Sequence, residues 1–379
     1  MRERFRRLTL EGFRSIRSLD LELGDITILV GANGSGKSNL ISFFQLLQAA
    51  LSENLRVHVG RKGGGSALLH YGIRHTQTMR ASLEFTGPEE GGRSVYAFAL
   101  AHAAPDSLLY TEETVILENL LGQLEQRLEA GHPESRVVAK ASHADDAMVG
   151  KVCEVFHQLL YNLRVYHFHD TSDRSVIRAS QELQDNQFLA ADGANLAAFL
   201  YRLQEAQPGH YRRIVNTVRL AIPYFQDFAL RPEALNPERI QLRWRDHDPD
   251  FELGTNHLSD GSLRAIALIT ALQQPEELLP SIILIDEPEL GLHPSAVSLI
   301  ASLIREVSSK RQVLVATQSP RLLSEFQPDE VVVTERVENA AGQGESQFHR
   351  LSREELGDWL KTYSLGSLYE MNVTGGGPQ

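Results

Sequence analysis

Little in this chain supports covalent cross-linking or membrane insertion. Its 379 residues include one cysteine, Cys153, which excludes an internal disulfide and fits a reducing compartment. No apolar run reaches about 18 residues, and the first residues carry no signal-like hydrophobic core. Neither a membrane span nor secretion is expected, and the expected location is the cytoplasm. No apolar heptad persists for the roughly three or four repeats a stable coiled-coil arm needs. Positive charge is also scarce: 37 Lys and Arg face 49 Asp and Glu, a net charge of −12. A surface coated with phosphate-binding cations is thereby excluded, and any DNA contact must be local. Arg2, Arg4, Arg6, Arg7, Arg14 and Arg17 form one candidate patch, and Arg61-Lys62 beside Gly63-Gly64-Gly65, read as a flexible loop, forms another. A solvated strand edge and an ordinary basic loop are the alternatives.

What the chain does have is a phosphate-binding signature. Residues 31–38 read GANGSGKS, which fits G-x-x-x-x-G-K-[ST]. The apolar, β-rich Ile26–Val30 precedes it, and apolar spacing predicts a helix over Asn39–Leu51. Strand, glycine loop and helix start bring backbone N–H groups and the positive helix end onto phosphate oxygens. Gly31, Asn33, Gly34, Ser35, Gly36, Lys37, Ser38 and Asn39 are the candidate ATP contacts. Lys37 would bridge the β- and γ-phosphates, and the Ser38 hydroxyl would ligate Mg²⁺.

Further along, Ile282-Ile283-Leu284-Ile285-Asp286-Glu287 reads as a buried strand ending in two carboxylates. Ligands gather at such strand ends in α/β sheets. Asp286 is the candidate metal ligand, and Glu287 the candidate base that polarises water. A second apolar strand, Gln312–Thr317, ends at Gln318, a polar group able to sense the γ-phosphate or the attacking water. Upstream, Leu258-Ser259-Asp260-Gly261-Ser262 opens a helical run, so Ser259 and Gly261 form a second anion site. If that loop faces outward, one ATP reaches both loops only when two copies meet head to head, each Ser259 loop capping the phosphate gripped by the other's Lys37.

Taken in order, GANGSGKS, LSDGS, ILIDEPELGLHP and ATQSP resemble an ABC-type ATPase head of the SMC/RecF class, and more narrowly the short RecF-like AAA family of bacterial ATPases. The likeness spans essentially the whole chain, including YHFHDTS at 166–172 and the LGSLYEMNVTGGGP ending. It implies an α/β P-loop head, with a mixed sheet lobe and a RecA-like core. It also implies ATP-driven homodimerisation, slow hydrolysis and work on DNA in repair or anti-phage defence. Ser262 and Gln318 depart from the glutamine and histidine usual in transporters. No clear glutamine loop stands out, and His169 or Asp170 could reach metal or water instead, or the YHFHD strand could simply pack internally. Two other readings stay open: an ATP-gated scaffold for a separate effector such as a nuclease, and a transporter's nucleotide-binding subunit.

The separation of Lys37 from Asp286 demands an insertion. The expected organisation is residues 1–105 as the first half of the head and 106–239 as a compact, mostly helical inserted lobe. Residues 240–345 form the second half, and 346–379 a final helix and tail. Thr111–Leu128 is ambiguous between strand and helix, Ser352–Glu355 is a capping box, and Gly375–Gln379 reads as frayed.

Overall fold

The computed structural model describes residues 4–86, 92–119, 122–143, 147–248, 250–340 and 342–377. Arg2, Pro378 and Gln379 therefore lie outside the described residues. Two compact units divide the chain, one comprising Met1–Leu163 with Gln327–Gln379, the other Arg164–Phe326.

The first unit begins with β1 (Phe5–Phe13), β2 (Ile16–Glu22) and β3 (Ile26–Val30), followed by α1 (Lys37–Ala50) and α2 (Leu55–Arg61). Next come β4 (Thr78–Thr86), β5 (Arg93–Ala103), β6 (Ser107–Asn119), β7 (Gly122–Arg127), α3 (Arg136–His143) and α4 (Ala147–Tyr161). Strands β2-β1-β4-β5-β6-β7 form one sheet, antiparallel throughout. The ambiguous 111–128 stretch is thus a hairpin: Glu113 and Val115 are buried while Glu112 faces out and Thr114 between them is partly exposed, a period of two rather than 3.6. Residues 106–239 hold these two strands as well as helices, and the compact units divide at 163 and 326. On the inner side of the sheet, α1 supplies Phe43 and Phe44, edge-on to Phe13 and Phe5 at centroid distances of 5.8 and 6.2 Å. Such pairs add to the burial that fixes α1 against the sheet.

The second unit opens with β8 (Leu163–Tyr166), whose first residue still belongs to the first unit, then β9 (Gln181–Glu182), α5 (Leu196–Ala206) and α6 (Pro208–Ala221). Short antiparallel pieces follow: β10 (Asp227–Phe228), β11 (Pro232–Glu233), β12 (Asn236–Ile240), β13 (Arg243–Arg245) and β14 (Glu252–Gly254). They lead to α7 (Asp260–Gln273), β15 (Ile282–Asp286), α8 (Pro294–Ser308), β16 (Gln312–Thr317) and α9 (Pro320–Leu323). Strand β15 pairs with β16 in parallel, Ile282 opposite Gln312 through Asp286 opposite Ala316. Helix α7 is buried along most of its length, from Leu263 to Gln273, so its near-continuous apolar sequence reflects packing on several sides.

The chain then returns to the first unit with β17 (Val331–Glu338), β18 (Gly344–Arg350), α10 (Arg353–Leu356) and α11 (Leu365–Glu370). Strand β17 pairs in parallel with β3 and antiparallel with β18. The Ser352–Glu355 capping box is present. The tail expectation is corrected here: Thr374, Gly376 and Gly377 are buried, held by hydrogen bonds that a glycine-rich composition does not reveal.

Candidate functional site

Within the first unit, the glycine loop joins β3 to α1, and its glycines are set by close approach. A Cβ at Gly31 would lie 2.2 Å from the Thr334 carbonyl oxygen, and one at Gly36 would lie 2.0 Å from Ser346 Oγ. Gly34 and Gly36 adopt φ of 80° and 124°, open to glycine and strained for other residues. The loop therefore packs on β17 and β18 and leaves Asn33, Gly34 and Ser38 exposed. Lys37 is 5% exposed, and its ammonium donates to the carbonyls of Gly31 and, at 3.0 Å, Ala32. Ser35 Oγ is buried without a hydrogen-bond partner, an orphaned group inside the predicted cradle. A buried cation and an orphaned hydroxyl at one glycine loop fit a phosphate ligand.

The Asn39 side chain is engaged by the β1–β2 turn. Its amide donates to Ser15 Oγ at 2.5 Å and its oxygen accepts from Arg14 at 3.5 Å, so it braces the β1–β2 turn in this structure.

Within the second unit, the acidic strand end carries more structure than two carboxylates. Gln318 Nε2 donates to Glu287 Oε1 at 3.1 Å, joining the ends of the two parallel strands. Glu287 itself sits at φ 45°, a left-handed backbone uncommon for a residue with a Cβ and costing on the order of 1–3 kcal/mol. Glu289, absent from the sequence reading, is the group that organises this corner. Its Oε1 accepts from Thr317 Oγ1 at 2.6 Å and from the Gln318 N–H at 3.4 Å, while its Oε2 is buried and unpaired. Burial raises the Glu289 carboxyl above the usual carboxylate range. No sequence signal marks it beyond its place in DEPEL.

The Ser259 loop is also built by neighbours. Ser259 caps α7, accepting from Ser262 N at 3.0 Å. A Cβ at Gly261 would meet the Gly291 carbonyl oxygen at 2.0 Å, so packing against the GLHP turn alone demands glycine there. Buried Arg178 donates to the carbonyls of Thr255 and Leu258 and to Asp260 at 2.9 Å, and that hydrogen bond lowers the Asp260 carboxyl's titration. Arg264, one turn into α7, donates to the carbonyls of Phe168 at 3.1 Å, His169 at 2.7 Å and Leu290 at 3.3 Å. His169 Nε2 lies 3.0 Å from the Asp286 backbone oxygen, and Tyr166 stacks on Phe168. Asp170 accepts from Ser172 N and Oγ in a local turn. Thus YHFHD braces the acidic strand through packing and backbone contacts.

The basic patches are largely spoken for. Arg4 pairs with Asp25, Arg7 with Asp20, and Arg17 with Glu345 at 3.5 Å. Arg61 closes α2, Lys62 donates to Gln45 at 3.2 Å, and Gly64 N–H bonds the Val59 carbonyl, so 61–64 is a helix terminus. For Mg²⁺, the described residues contain no cluster of three or more His, Cys, Asp or Glu. A hydroxyl at Ser38 and a carboxylate at Asp286 are hard oxygen donors, as Mg²⁺ prefers when phosphates and water complete its shell. No helix among the described residues is long and apolar enough to cross a membrane.

Comparison with known proteins bears on the family and the fold. Residues 26–324 match a family described as "AAA domain, putative AbiEii toxin, Type IV TA system". The chain is 25% identical over 366 residues to the OLD nuclease of Thermus scotoductus, covering 87% of this chain. It spans only 63% of that relative's length. An Smc head bound to the C-winged helix domain of ScpA superposes with a TM-score of 0.57 at 15% identity, over 92% of this chain and 98% of the other. A Pyrococcus furiosus-derived complex of an Smc head with the C-terminal domain of ScpA gives 0.58 at 14%, over 95% and 99%. At these identities the two structures establish the fold.

Proposed function

From the premise that the chain belongs to the AAA_21 family, ATPases of the SMC/RecF type, we propose that it hydrolyses ATP with Mg²⁺ and that ATP brings two copies head to head. The loop from Gly31 to Ser38 takes the triphosphate, with Lys37 leaving its loop carbonyls for phosphate oxygens. Ser38 and Asp286 would hold Mg²⁺, which when bound would offset the charge of the phosphates. Glu287 takes the proton of the attacking water, and Gln318 holds the carboxylate and senses the γ-phosphate. Ser259 and Gly261 of the second copy cap that phosphate from outside.

The observation that carries this reading is the Gln318–Glu287 hydrogen bond at the ends of two register-matched parallel strands. It supports reading Glu287 as the base and Gln318 as its orienter, because ligands collect at the ends of such strands. The direct test is phosphate release by Glu287→Gln, which should fall about 100-fold or more while ATP affinity stays within a few fold. Release at the wild-type rate would remove Glu287 as the base. The work done with ATP is engagement of DNA or of a separate effector. The ion pairs of Arg4, Arg7 and Arg17 favour the second, an ATP-gated sensor for a partner protein such as a nuclease. Added duplex or single-stranded DNA should then leave ATP turnover unchanged, and a stimulated rate would restore the DNA reading.

A further inference from the structure

The glycine-rich segment after α11 meets the phosphate loop directly, and neither the family match nor the catalytic reading assigns it a part. The Ala32 N–H donates to the Gly376 carbonyl at 2.7 Å. The same peptide plane carries the Gly31 carbonyl, which accepts from the Lys37 ammonium. A trans peptide is rigid, so the two hydrogen bonds grip opposite edges of one plate. Whatever fixes Gly376 therefore fixes the direction in which the Gly31 carbonyl presents itself to Lys37.

Gly376 is fixed from several sides. Its N–H donates to Glu335 Oε1 at 2.5 Å, and its carbonyl also accepts from Tyr369 Oη at 3.2 Å. Gly377 N–H donates to Asn372 Oδ1 at 3.0 Å. Gly375 and Gly376 have φ of 75° and 70°, and a Cβ on Gly376 would stand 2.6 Å from Val333 Cγ1. Only glycine lies this close to β17 and the loop at once.

We propose that Thr374–Gly377 is a strap that positions the phosphate loop, with Glu335 and Gly376 as positioning residues for nucleotide binding. The inference rests on the ATP reading above. The strap holds the 31–32 peptide plane while Lys37 exchanges its carbonyl partners for phosphate, so the loop keeps its open shape during binding.

The test titrates the full chain with a fluorescent non-hydrolysable ATP analogue and follows amide exchange at Ala32. Gly376→Val and Glu335→Ala should weaken binding roughly five- to tenfold and speed Ala32 exchange. Glu335→Gln, which keeps an acceptor oxygen, should restore both. Lys37→Ala separates the two ideas. If it loses binding while Gly376→Val and Glu335→Ala bind like wild type, the strap proposal is wrong and the ATP reading stands. If Lys37→Ala also binds like wild type, the ATP reading itself fails. Should Gly376→Val unfold, the Glu335 pair decides alone, because Gln keeps the length of Glu and an acceptor oxygen while Ala keeps neither.

Discussion

Lys37 and Glu287 are both charged, both stand beyond the end of a buried strand, and are held by different means. Lys37 is restrained by backbone: carbonyls of its own loop hold the ammonium, and glycines at 31, 34 and 36 make the loop possible. Glu287 is restrained by side chains gathered from elsewhere in its unit, with Gln318 on its oxygen and Glu289 and Thr317 behind Gln318. A backbone cradle keeps its shape whichever ligand is bound, which suits a grip. A side-chain relay at a strained φ shifts when one partner changes, which suits a group that must respond to the γ-phosphate.

The contrast can be broken by substitution. The largest expected effect is at the Ser259 loop: Arg178→Met takes the guanidinium from the buried carbonyls of Thr171, Thr255 and Leu258. Stability should fall by about 3–5 kcal/mol in chemical denaturation. A loss under about 1 kcal/mol would mean the loop holds itself. Next, Lys37→Ala should cut nucleotide affinity at least about 100-fold by calorimetry, with the melting temperature of the nucleotide-free protein little changed. A folded variant with wild-type affinity would contradict the backbone-cradle account.

The smallest effect is a pH dependence at Glu289. Its folded titration lies above the unfolded value because burial disfavours the charge. The neutral form's contribution is therefore complete below the unfolded value, near pH ~4.3, and is lost as pH rises through the folded one. Glu289→Gln should melt like wild type in acid and above it at pH ~8. A gap that does not change with pH would place Glu289 in a solvated setting.

The two regions also differ in how plainly the sequence announces them. Glycines at fixed spacing before Lys37 make a pattern in one short stretch, so the cradle stands out in one line of sequence whichever contacts demand them. The apolar runs of β3, β15 and β16 are equally direct, because strands buried on both faces lose their alternation. Glu289 and Arg178 look like ordinary surface charges until tertiary contacts enclose them. Asn39 follows the phosphate pattern in sequence, and its side chain meets the β1–β2 turn, a partner 24 residues away that the pattern does not reveal. The glycines at 375–377 depart from a frayed tail for the converse reason: their freedom is visible in sequence, but the contacts with Glu335 and Ala32 that use it are not.

The central claim is that one triphosphate joins the Lys37 loop of one copy to the Ser259 loop of another. The direct measurement is the molar mass of Glu287→Gln by light scattering, with and without ATP and Mg²⁺. The account predicts a monomer alone, a dimer with ATP, and a monomer again when Ser259→Arg is added, with ATP still bound. A mass unchanged by saturating ATP would contradict it.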